Sequence, residues 1–381
     1  MIKYHVYMPS LTGNEKKYVN ECLDTTWISS RGKFVSEFEE NFSKYIGVNH
    51  GVAVCNGTVA IHLALTALGI GEGDEVLVPT FTYIASVNPI KQLGATPVFV
   101  DSDEDDWQIS PEDIERKITP KTKAIIAVHL YGHPCKMDKI MEIAKKHNLL
   151  VVEDCAEAIG SEFNGKKVGS FGDVACFSFF GNKTMTCGEG GMCLTNDPTI
   201  YNRLAKLKSQ GLSEDREYWH DMIGYNYRMT NIAAAIGCAQ LEQVQTFIDK
   251  KQKIAGWYKK YLKGVPVTLH EPKGKVLHTY WMNSILVEKG QNREELRKFL
   301  REAGIETRPT FYPVHTMPMY SPRFTSLKVA EDIALRGMNL PSYPALKEED
   351  IKYICDKIKE FSCRKNMLSL AVEGMQKALL M

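Results

Sequence analysis

Short runs of β-branched and aromatic residues alternate with helix-like segments from about residue 50 to residue 196, and this alternation limits the possible folds more than any other feature. The runs are apolar along their whole length, as expected of parallel strands covered by helices on both faces. The sequence therefore predicts an α/β fold with a mainly parallel central sheet. Its strands are predicted at EVLVP (75–79), TPVFVD (96–101), KAIIAVHL (123–130), LLVVEDC (149–155), VACFSFF (174–180) and GMCLT (191–195). Crossover helices are predicted at 58–68, 82–92, 110–118 and 136–147.

The C-terminal part of the chain does not continue this alternation of strands and helices. A long helical stretch over residues 231–262 leads to one strand-like run, HTYWMNSILVE (278–288), and to a helix over residues 292–303. This order predicts a second, smaller α+β domain, since 381 residues exceed what one ordinary core supports. We expect a large domain over residues 1–245 and a small C-terminal domain over residues 246–381.

Composition and charge indicate which kinds of molecule the protein binds. The formal net charge is +1, and no long Lys/Arg run gives the electrostatic footprint of a nucleic-acid-binding protein. No apolar run approaches the roughly 20 residues that cross a bilayer, and the first residues lack the apolar core of a signal peptide. The ten cysteines never form a C-x-x-C pair, which favours buried free thiols over disulfides or zinc. We therefore expect a cytoplasmic protein that acts on small molecules, without nucleic acid or membrane.

A glycine-containing turn precedes the first crossover helix. Ligands of such sheets bind beyond the carboxyl ends of the strands, where loops lead into helix N-termini. In the NGT tripeptide at 56–58, Gly57 permits close approach of the backbone, Thr58 offers a hydroxyl, and the helix start offers free N–H groups. The tripeptide fits a phosphate-binding turn, and by itself it also fits an ordinary helix N-cap.

Two charged residues follow other strands of the sheet. Asp154 ends the strand at 149–155, where a buried carboxylate needs a cationic partner such as a protonated pyridine nitrogen. Lys183 lies in the loop FSFFGNKTMTCGEGG (177–191), where desolvation lowers the pKa of an amine and lets it form a Schiff base with an aldehyde cofactor. Ser178 in the same loop can donate a hydrogen bond to a phosphate. A helix cap and a solvated loop lysine are the alternative readings of the two charges.

The polar segment YNYRMTN (225–231) is predicted to open the long helical stretch. Asn226 and Arg228 stand there in an apolar and aromatic setting. Their chemistry fits helix capping as well as phosphate binding, and residue types alone do not decide between the two.

These motifs occur together in one known family. NGT, PTFTYIAS, EDCAEAIG, SFFGNKTMTCGEGG and NYRMTN, in this order, resemble the DegT/DnrJ/EryC1/StrS sugar aminotransferases over nearly the whole chain. The resemblance implies a pyridoxal phosphate (PLP) dependent enzyme of fold type I that moves an amino group from glutamate to a keto sugar. The segments SFFGNKT, YWHDMIGYNYRMTN and FYPVHTMPMY are most similar to family members that aminate C4 of GDP-4-keto-6-deoxymannose.

The resemblance also implies a role for each site residue. Lys183 would form the internal aldimine with pyridoxal 5′-phosphate. Asp154 would pair with the pyridinium nitrogen, Glu157 would contact the ring hydroxyl side, and Tyr83 would stack on the ring. The phosphate would be held by Gly57, Thr58 and Ser178 of the same subunit, together with Asn226 from the neighbouring subunit.

Shared phosphate binding implies a homodimer or homotetramer with active sites that are shared between subunits. The apolar-rich, amphipathic segment over residues 364–381 fits either packing on a partner subunit or a frayed terminus. Candidate contacts to the sugar and nucleotide, for which packing or surface roles are the alternative, are Trp27, Ser29, Arg31, Arg308 and His315.

Lys183 also bears on the alternatives to a sugar aminotransferase. The related sugar 3-dehydratases have histidine at that position, which can neither form a stable internal aldimine nor restore it after product release. The lysine therefore favours transamination over dehydration. A different acceptor, such as an oxidised eight-carbon sugar acid, and a catalytically silent PLP-binding protein both remain open.

Two further patterns predict no ligand. His129 and His133 are spaced like a metal-binding pair, but Gly132 and Pro134 break any helix that would bring them together, so no metal is expected. The segment GIGEGDE (69–75) follows a helix and precedes a strand, which is the wrong order for a dinucleotide-binding loop.

Overall fold

The computed structural model describes residues 1–321 and 325–379, with side chains described as far as residue 363. Its strands are β1 (His50–Val54), β2 (Glu75–Pro79), β3 (Thr96–Val100), β4 (Thr122–Val128), β5 (Leu150–Asp154), β6 (Glu162–Phe163), β7 (Lys166–Lys167), β8 (Val174–Ser178), β9 (Gly191–Thr195), β10 (Val267–Leu269), β11 (Val276–Leu277), β12 (Asn283–Val287), β13 (Arg308–Pro309) and β14 (Gly337–Leu340). Its helices are α1 (Glu15–Asp24), α2 (Lys33–Ile46), α3 (Gly57–Ala67), α4 (Asn88–Gln92), α5 (Pro111–Lys117), α6 (Met137–His147), α7 (Pro198–Lys208), α8 (Asn231–Leu241), α9 (Val244–Tyr261), α10 (Arg293–Glu302), α11 (Lys328–Arg336) and α12 (Glu348–Leu379).

The central sheet has seven strands in the order β1-β9-β8-β5-β4-β2-β3. Neighbours from β8 to β3 pair in parallel, whereas β9 runs antiparallel to both β8 and β1. The predicted mainly parallel α/β sheet is thereby confirmed, and all six predicted strands are present. Strand β1 was not predicted, because its run HGVAV is short and contains a glycine that weakens the strand pattern.

Helices pack on the sheet and bury most of its strands, whereas the edge strand β3 is mostly half-buried. Helix α3, GTVAIHLALTA, is apolar on nearly every side and packs across β8 and β9. The helix predicted over 82–92 is shorter than expected: a 3₁₀ turn over Ile84–Ser86 precedes α4. Pro89 lies in the first turn of α4, where its missing N–H is tolerated. A helix that continued from residue 82 would place this proline in its interior, where it breaks the helix.

A second, antiparallel sheet with the order β10-β12-β14-β13 is formed by the C-terminal part of the chain. The strand predicted over residues 278–288 is confined to β12, since Tyr280 adopts a positive φ of 51° that ends regular extension. The helical stretch predicted over residues 231–262 is two helices, α8 and α9, separated at residues 242–243. The predicted division into residues 1–245 and 246–381 falls at the beginning of α9 and stays a prediction.

The first residues of the chain join the C-terminal sheet region. Tyr4 forms a parallel bridge with Ile305 and lies in the same apolar core as Ile254 and Tyr258 of α9. The main chain of Ser342 donates to the carbonyl of Val6 at 2.9 Å. The next residue, Tyr7, contacts the loop that contains Lys183 through its hydroxyl.

None of the described helices combines the length and the apolar character that a membrane span requires. The backbone of α12 continues to Leu379, but the side chains of the amphipathic segment predicted over residues 364–381 lie outside the described residues. Its two alternative roles are therefore untested.

Candidate active site

The carboxyl ends of neighbouring strands bring the main candidates together. β5 ends at Asp154 and β8 ends at Ser178, and the two strands pair in parallel. Helix α3 begins at Gly57 directly beside Ser178. The local sequence thus places a carboxylate, a hydroxyl and a helix N-terminus at one edge of the sheet, as expected for a doubly covered sheet.

Asp154 is buried and its two carboxylate oxygens have different partners. The hydroxyl of Ser86 donates to Oδ2 at 2.7 Å, and the main-chain N–H of Ala156 donates to Oδ1 at 3.1 Å. Ser86 is held in turn by the hydroxyl of Thr82 at 3.0 Å. Each oxygen keeps acceptor capacity, since a carboxylate offers about four lone-pair sites. The group can therefore accept a further hydrogen bond from a cationic ring nitrogen.

Lys183 lies in the loop after β8 with its side chain largely buried. Its Nζ is 3.7 Å from Oε1 of Glu157. Burial lowers the pKa of the amine, while the negative charges of Glu157 and Asp154 act in the opposite direction. An amine in this environment loses its proton more easily than a solvated lysine, as a nucleophile toward an aldehyde requires.

Glu157 faces Lys183 from the turn after β5. Its Oε2 accepts a 2.8 Å hydrogen bond from the main-chain N–H of Tyr131. Burial raises the pKa of Glu157 to about 7, although the charge of Lys183 opposes this shift. Burial thus favours the neutral form of both partners.

A tight approach between Gly57 and Ser178 shapes the start of α3. A Cβ atom on Gly57 would lie 2.6 Å from Cβ of Ser178, so that only glycine fits without displacement. Oδ1 of Asn56 caps the helix by accepting from Val59 N–H at 3.0 Å. The first N–H groups of the helix, at Gly57 and Thr58, have no intrahelical acceptor and are suited to an anion.

A connected group of aromatic side chains lies beside the Lys183 amine and reaches it through Trp281. Nζ of Lys183 is 4.0 Å from the centre of the Trp281 ring, and that ring lies parallel to Tyr131 with their centres 6.1 Å apart. Phe311 stacks on Tyr131 with ring centres 5.3 Å apart, and the centres of the Tyr83 and Phe311 rings are 5.8 Å apart. Tyr83 is more than half exposed, so its ring is free to contact a bound molecule.

Asn226 and Arg228 differ from their predicted setting. They do not begin a helix: α8 begins at residue 231 and is capped by Thr230, whose hydroxyl accepts from Ala233 N–H. Asn226 instead forms an isolated antiparallel bridge with Ser209. Its Oδ1 accepts a 3.0 Å hydrogen bond from Nε of Arg228, and both side chains are exposed. Each is therefore available to a molecule outside the chain.

Three of the predicted sugar contacts lie together in one exposed segment. Trp27, Ser29 and Arg31 follow α1, and the carbonyl of Ser29 accepts a 2.6 Å hydrogen bond from Asn231 N–H at the start of α8. No contact joins them to Lys183 among the described residues, so their role stays a prediction.

Arg308 and His315 lie in different environments. Arg308 is on β13 and forms a 3.5 Å ion pair with Glu306 at the surface. His315 is buried, and its two ring nitrogens are engaged by Thr80 Oγ1 at 2.7 Å and Glu331 Oε1 at 3.1 Å. In this arrangement both ring nitrogens of His315 already have partners, and its role as a sugar contact stays a prediction.

His129, Glu153 and Cys155 form a buried group with ligand atoms within 4.8 Å of one another. Nδ1 of His129 accepts from Cys135 N–H at 3.0 Å, so the proton is on Nε2, which donates to Glu153 at 3.1 Å. Glu153 also accepts three main-chain N–H groups from residues 169–172. The hydrogen bonds already made by His129 and Glu153 account for the cluster without a metal.

Several residues around the site were missed from the sequence. Ser86 lies in the PTFTYIAS motif. That motif was the signal that could have indicated a hydroxyl partner for a site carboxylate. Trp281 lies in a run read as a strand, and Tyr7 has no pattern around it that indicates a site. Both contact the Lys183 loop: Trp281 Nε1 donates to Asn182 O at 2.7 Å, and the Tyr7 hydroxyl donates to Lys183 O.

Pyridoxal phosphate fits these residues. The buried amine of Lys183 can react with the aldehyde, and the buried carboxylate of Asp154 has lone pairs for the ring nitrogen. The N-terminus of α3, where only glycine fits at residue 57, suits the phosphate. The fold and this set of groups define a PLP-dependent aminotransferase.

The chain belongs to the DegT/DnrJ/EryC1/StrS aminotransferase family, whose model matches residues 9–359. It is 61% identical to the GDP-perosamine synthase of Escherichia coli O157:H7 over 93% of this chain and 98% of that protein. Its identity to the GDP-perosamine synthase of Vibrio cholerae is 50%, over 94% and 99% of the two chains. The solved structure of S. venezuelae DesV in complex with a ketimine intermediate is similar with a TM-score of 0.87, at 35% identity over 92% of this chain and 94% of that one. The chain is thus a sugar aminotransferase that uses pyridoxal phosphate.

Proposed function

We propose that the chain transfers the amino group of glutamate to C4 of GDP-4-keto-6-deoxymannose, forming GDP-perosamine. The observation that carries this proposal is the 61% identity to the E. coli GDP-perosamine synthase over nearly the full length of both chains. The V. cholerae relative of the same name supports it at 50% identity.

In this proposal each residue of the site has one task. The bound cofactor supplies an electron sink for the carbon that loses a proton. Lys183 would bind the cofactor aldehyde through Nζ and, when free, would carry a proton between the amino-bearing carbon of the substrate and the former aldehyde carbon of the cofactor. Asp154 would bind the ring nitrogen, Glu157, whose pKa burial raises to about 7, would lie at the ring hydroxyl side, and the exposed Tyr83 would contact the ring face. Phosphate binding is assigned to Gly57, Thr58, Ser178 and Asn226.

The proposed active unit is a homodimer or homotetramer in which Asn226 reaches the phosphate of the neighbouring subunit. The preceding loop supports an interface, because Tyr218 and Ile223 are each more than 90% exposed and Trp219 is about half exposed. Large apolar side chains grouped at a surface mark sites of protein contact.

We propose the cytoplasm as the site of action. All ten cysteines are free thiols, and free thiols persist in reducing compartments.

The test is a transamination assay with defined acceptors. Purified protein and glutamate are incubated with GDP-4-keto-6-deoxymannose and, in parallel, with an oxidised eight-carbon sugar acid. Formation of 2-oxoglutarate is measured together with the mass of the sugar product. We expect 2-oxoglutarate and replacement of the carbonyl oxygen by an amino group with the GDP-sugar, and no product with Lys183→Ala. Preference for the eight-carbon acid would contradict the acceptor, and a dehydrated product without 2-oxoglutarate would contradict amination.

A further inference from the structure

A second buried lysine lies close to the site. Lys251 of α9 is fully buried, and its Nζ donates to the carbonyl oxygens of Ser342 at 2.6 Å, Trp281 at 3.0 Å and Tyr280 at 3.5 Å. Burial lowers the pKa of its amine to about 7. A buried amine is costly unless its donors are satisfied, and three carbonyl acceptors match the three donors of an ammonium group. The arrangement ties one helix to two separate segments of main chain.

One of these segments leads directly to Lys183. Lys251 holds the main-chain carbonyl of Trp281, and the indole of Trp281 donates to Asn182 O at 2.7 Å. The same indole ring has its centre 4.0 Å from Nζ of Lys183. Trp281 therefore contacts two consecutive residues of the lysine loop, one through its N–H and one through its ring face.

The other link passes through Tyr7. Nζ of Lys251 is 5.0 Å from the centre of the Tyr7 ring, and the Tyr7 hydroxyl donates to the carbonyl of Lys183. Ser342, whose carbonyl accepts from Lys251, also donates its N–H to Val6 O at 2.9 Å. Both the tryptophan and the tyrosine that contact the lysine loop are thus anchored at one ammonium group.

We propose that Lys251 is a positioning residue that sets the place of the Lys183 amine by holding Trp281 and Tyr7 against residues 182–183. The proposal deepens the proposed function and rests on its assignment of Lys183 as the residue that binds the cofactor. Lys251 is fully buried with its amine on three carbonyl oxygens, and we assign its effect on the charge of the Lys183 amine to the placement of the Trp281 ring.

The position of Trp281 has a measurable electrostatic effect. An aromatic ring face about 4 Å from a nitrogen stabilises positive charge on it, by an amount that corresponds to a pKa shift of about half a unit to one unit. If Lys251 places the ring, removal of its amine lowers the pH at which the Lys183 nitrogen loses its proton by about that much.

The experiment measures this pH midpoint in two forms of the protein. In the holoenzyme without sugar, it is read from the change in the cofactor absorption band. In the cofactor-free protein, it is read from the pH dependence of Lys183 acetylation, quantified by peptide mass. The variants are Lys251→Met, which keeps the aliphatic stem, Trp281→Leu, and the double variant.

We expect Lys251→Met to lower the midpoint by about half a unit to one unit, and Trp281→Leu to lower it at least as much. The double variant should have the same midpoint as Trp281→Leu, because the Trp281 ring lies at the amine whereas Tyr7 contacts only the Lys183 carbonyl, and residues that act through one another are not additive. The turnover number should fall about tenfold or more from misplacement of the amine, while KM for glutamate changes little. Additive midpoint shifts, or an unchanged midpoint in folded Lys251→Met, would overturn the proposal.

Lys117→Met is the matched control. Its amine also donates to a backbone carbonyl, of Phe99 at 2.6 Å, and pairs with Asp113 at 2.8 Å, but it lies at the β3 edge of the sheet. It should leave the midpoint unchanged. If Lys251→Met does not fold, Lys251→Gln retains two N–H donors, and an unchanged midpoint in Trp281→Leu alone also overturns the proposal.

Borohydride reduction separates failure of this inference from failure of the proposed function. A cofactor label at Lys183 together with an unmoved midpoint rejects only the role of Lys251. A label at another lysine rejects the assignment of Lys183 itself, and with it the basis of both proposals.

Discussion

The hydroxyl of Ser86 donates a 2.7 Å hydrogen bond to Oδ2 of Asp154, although the two residues are 68 positions apart in the chain. Ser86 is in the 3₁₀ turn after β2, and Asp154 ends β5. With the N–H of Ala156 on the other oxygen, the serine fixes the plane of the carboxylate. The orientation of the Asp154 carboxylate therefore depends on a residue that is distant in the sequence and is brought next to it by the fold.

We expect Asp154→Asn to retain the cofactor but to lower turnover by orders of magnitude. A neutral amide cannot stabilise a positively charged ring nitrogen, so the electron sink is weakened. Cofactor content is measured by absorbance and turnover by release of 2-oxoglutarate. Near-normal turnover would mean that the carboxylate has a structural role only.

Ser86→Ala should have a smaller effect of the same kind, about tenfold in turnover, because it removes one hydrogen bond to a charged group and leaves the charge in place. Thr82→Val, which removes a hydroxyl that contacts Ser86 and not Asp154, is the control and should change turnover less. Equal losses in the two variants would argue against a specific role for the serine–aspartate bond.

Gly57→Ala should weaken cofactor binding by about tenfold or more. The added Cβ would approach Cβ of Ser178 to 2.6 Å, which forces the helix start away from the loop. Gly256→Ala is the control, since a Cβ at that position in α9 meets nothing within 4 Å. The dissociation constant is measured by titrating cofactor into the cofactor-free protein. An unchanged constant in Gly57→Ala would remove this turn from the phosphate site.

Mixing Lys183→Ala with Asn226→Ala should restore part of the activity. In a shared site, a hybrid dimer has one site that receives an intact lysine from one subunit and an intact asparagine from the other. Activity is measured after the two inactive proteins have exchanged subunits, and each variant alone is the control. No recovery despite proven exchange would show that the sites are independent. Normal cofactor binding by Asn226→Ala would remove the basis of the sharing.

Stability should fall as the pH is lowered from about 6.5 toward 4. His133, His270 and His278 pack together with ring centres 5.0–5.4 Å apart. Burial lowers the pKa of His133 to about 4, of His270 to about 3, and that of His278 well below its ordinary value. In this window the unfolded chain binds protons that the folded chain does not, so each histidine lowers the free energy of unfolding by up to about 1.4 kcal/mol per pH unit of acidification.

Asp106 opposes this trend, because burial raises the pKa of its carboxyl to about 6 and the folded chain then binds the extra proton. A variant therefore isolates the histidine contribution better than the native protein does. His270→Gln can still donate to the Asp106 carbonyl, which accepts from His270 at 2.8 Å. Urea unfolding midpoints between pH 7.5 and 4.5 should depend less steeply on pH in His270→Gln. An equal slope would mean that His270 does not titrate with unfolding.

The sequence by itself determined six of the seven strands of the central sheet and the residues at its edge. Continuous apolar runs separated by helical spacing leave few solutions other than a covered parallel sheet, and parallel strands direct their carboxyl ends to one side. For that reason Asp154, Ser178 and Gly57 could be expected to lie together before any contact was known. The resemblance of the motifs added the chemical role of Lys183, which spacing alone left open.

Only the tertiary structure decided what surrounds these residues. Trp281 contacts Asn182 across 99 positions of the chain and Tyr7 contacts Lys183 across 176, and neither side chain lies in a pattern that names its partner. Periodicity reports the face a residue occupies in its own helix or strand, but not which distant segment packs against that face. The anchoring amine of Lys251 is the clearest case, since a lysine in a helix reads as a solvated residue until the chain folds around it.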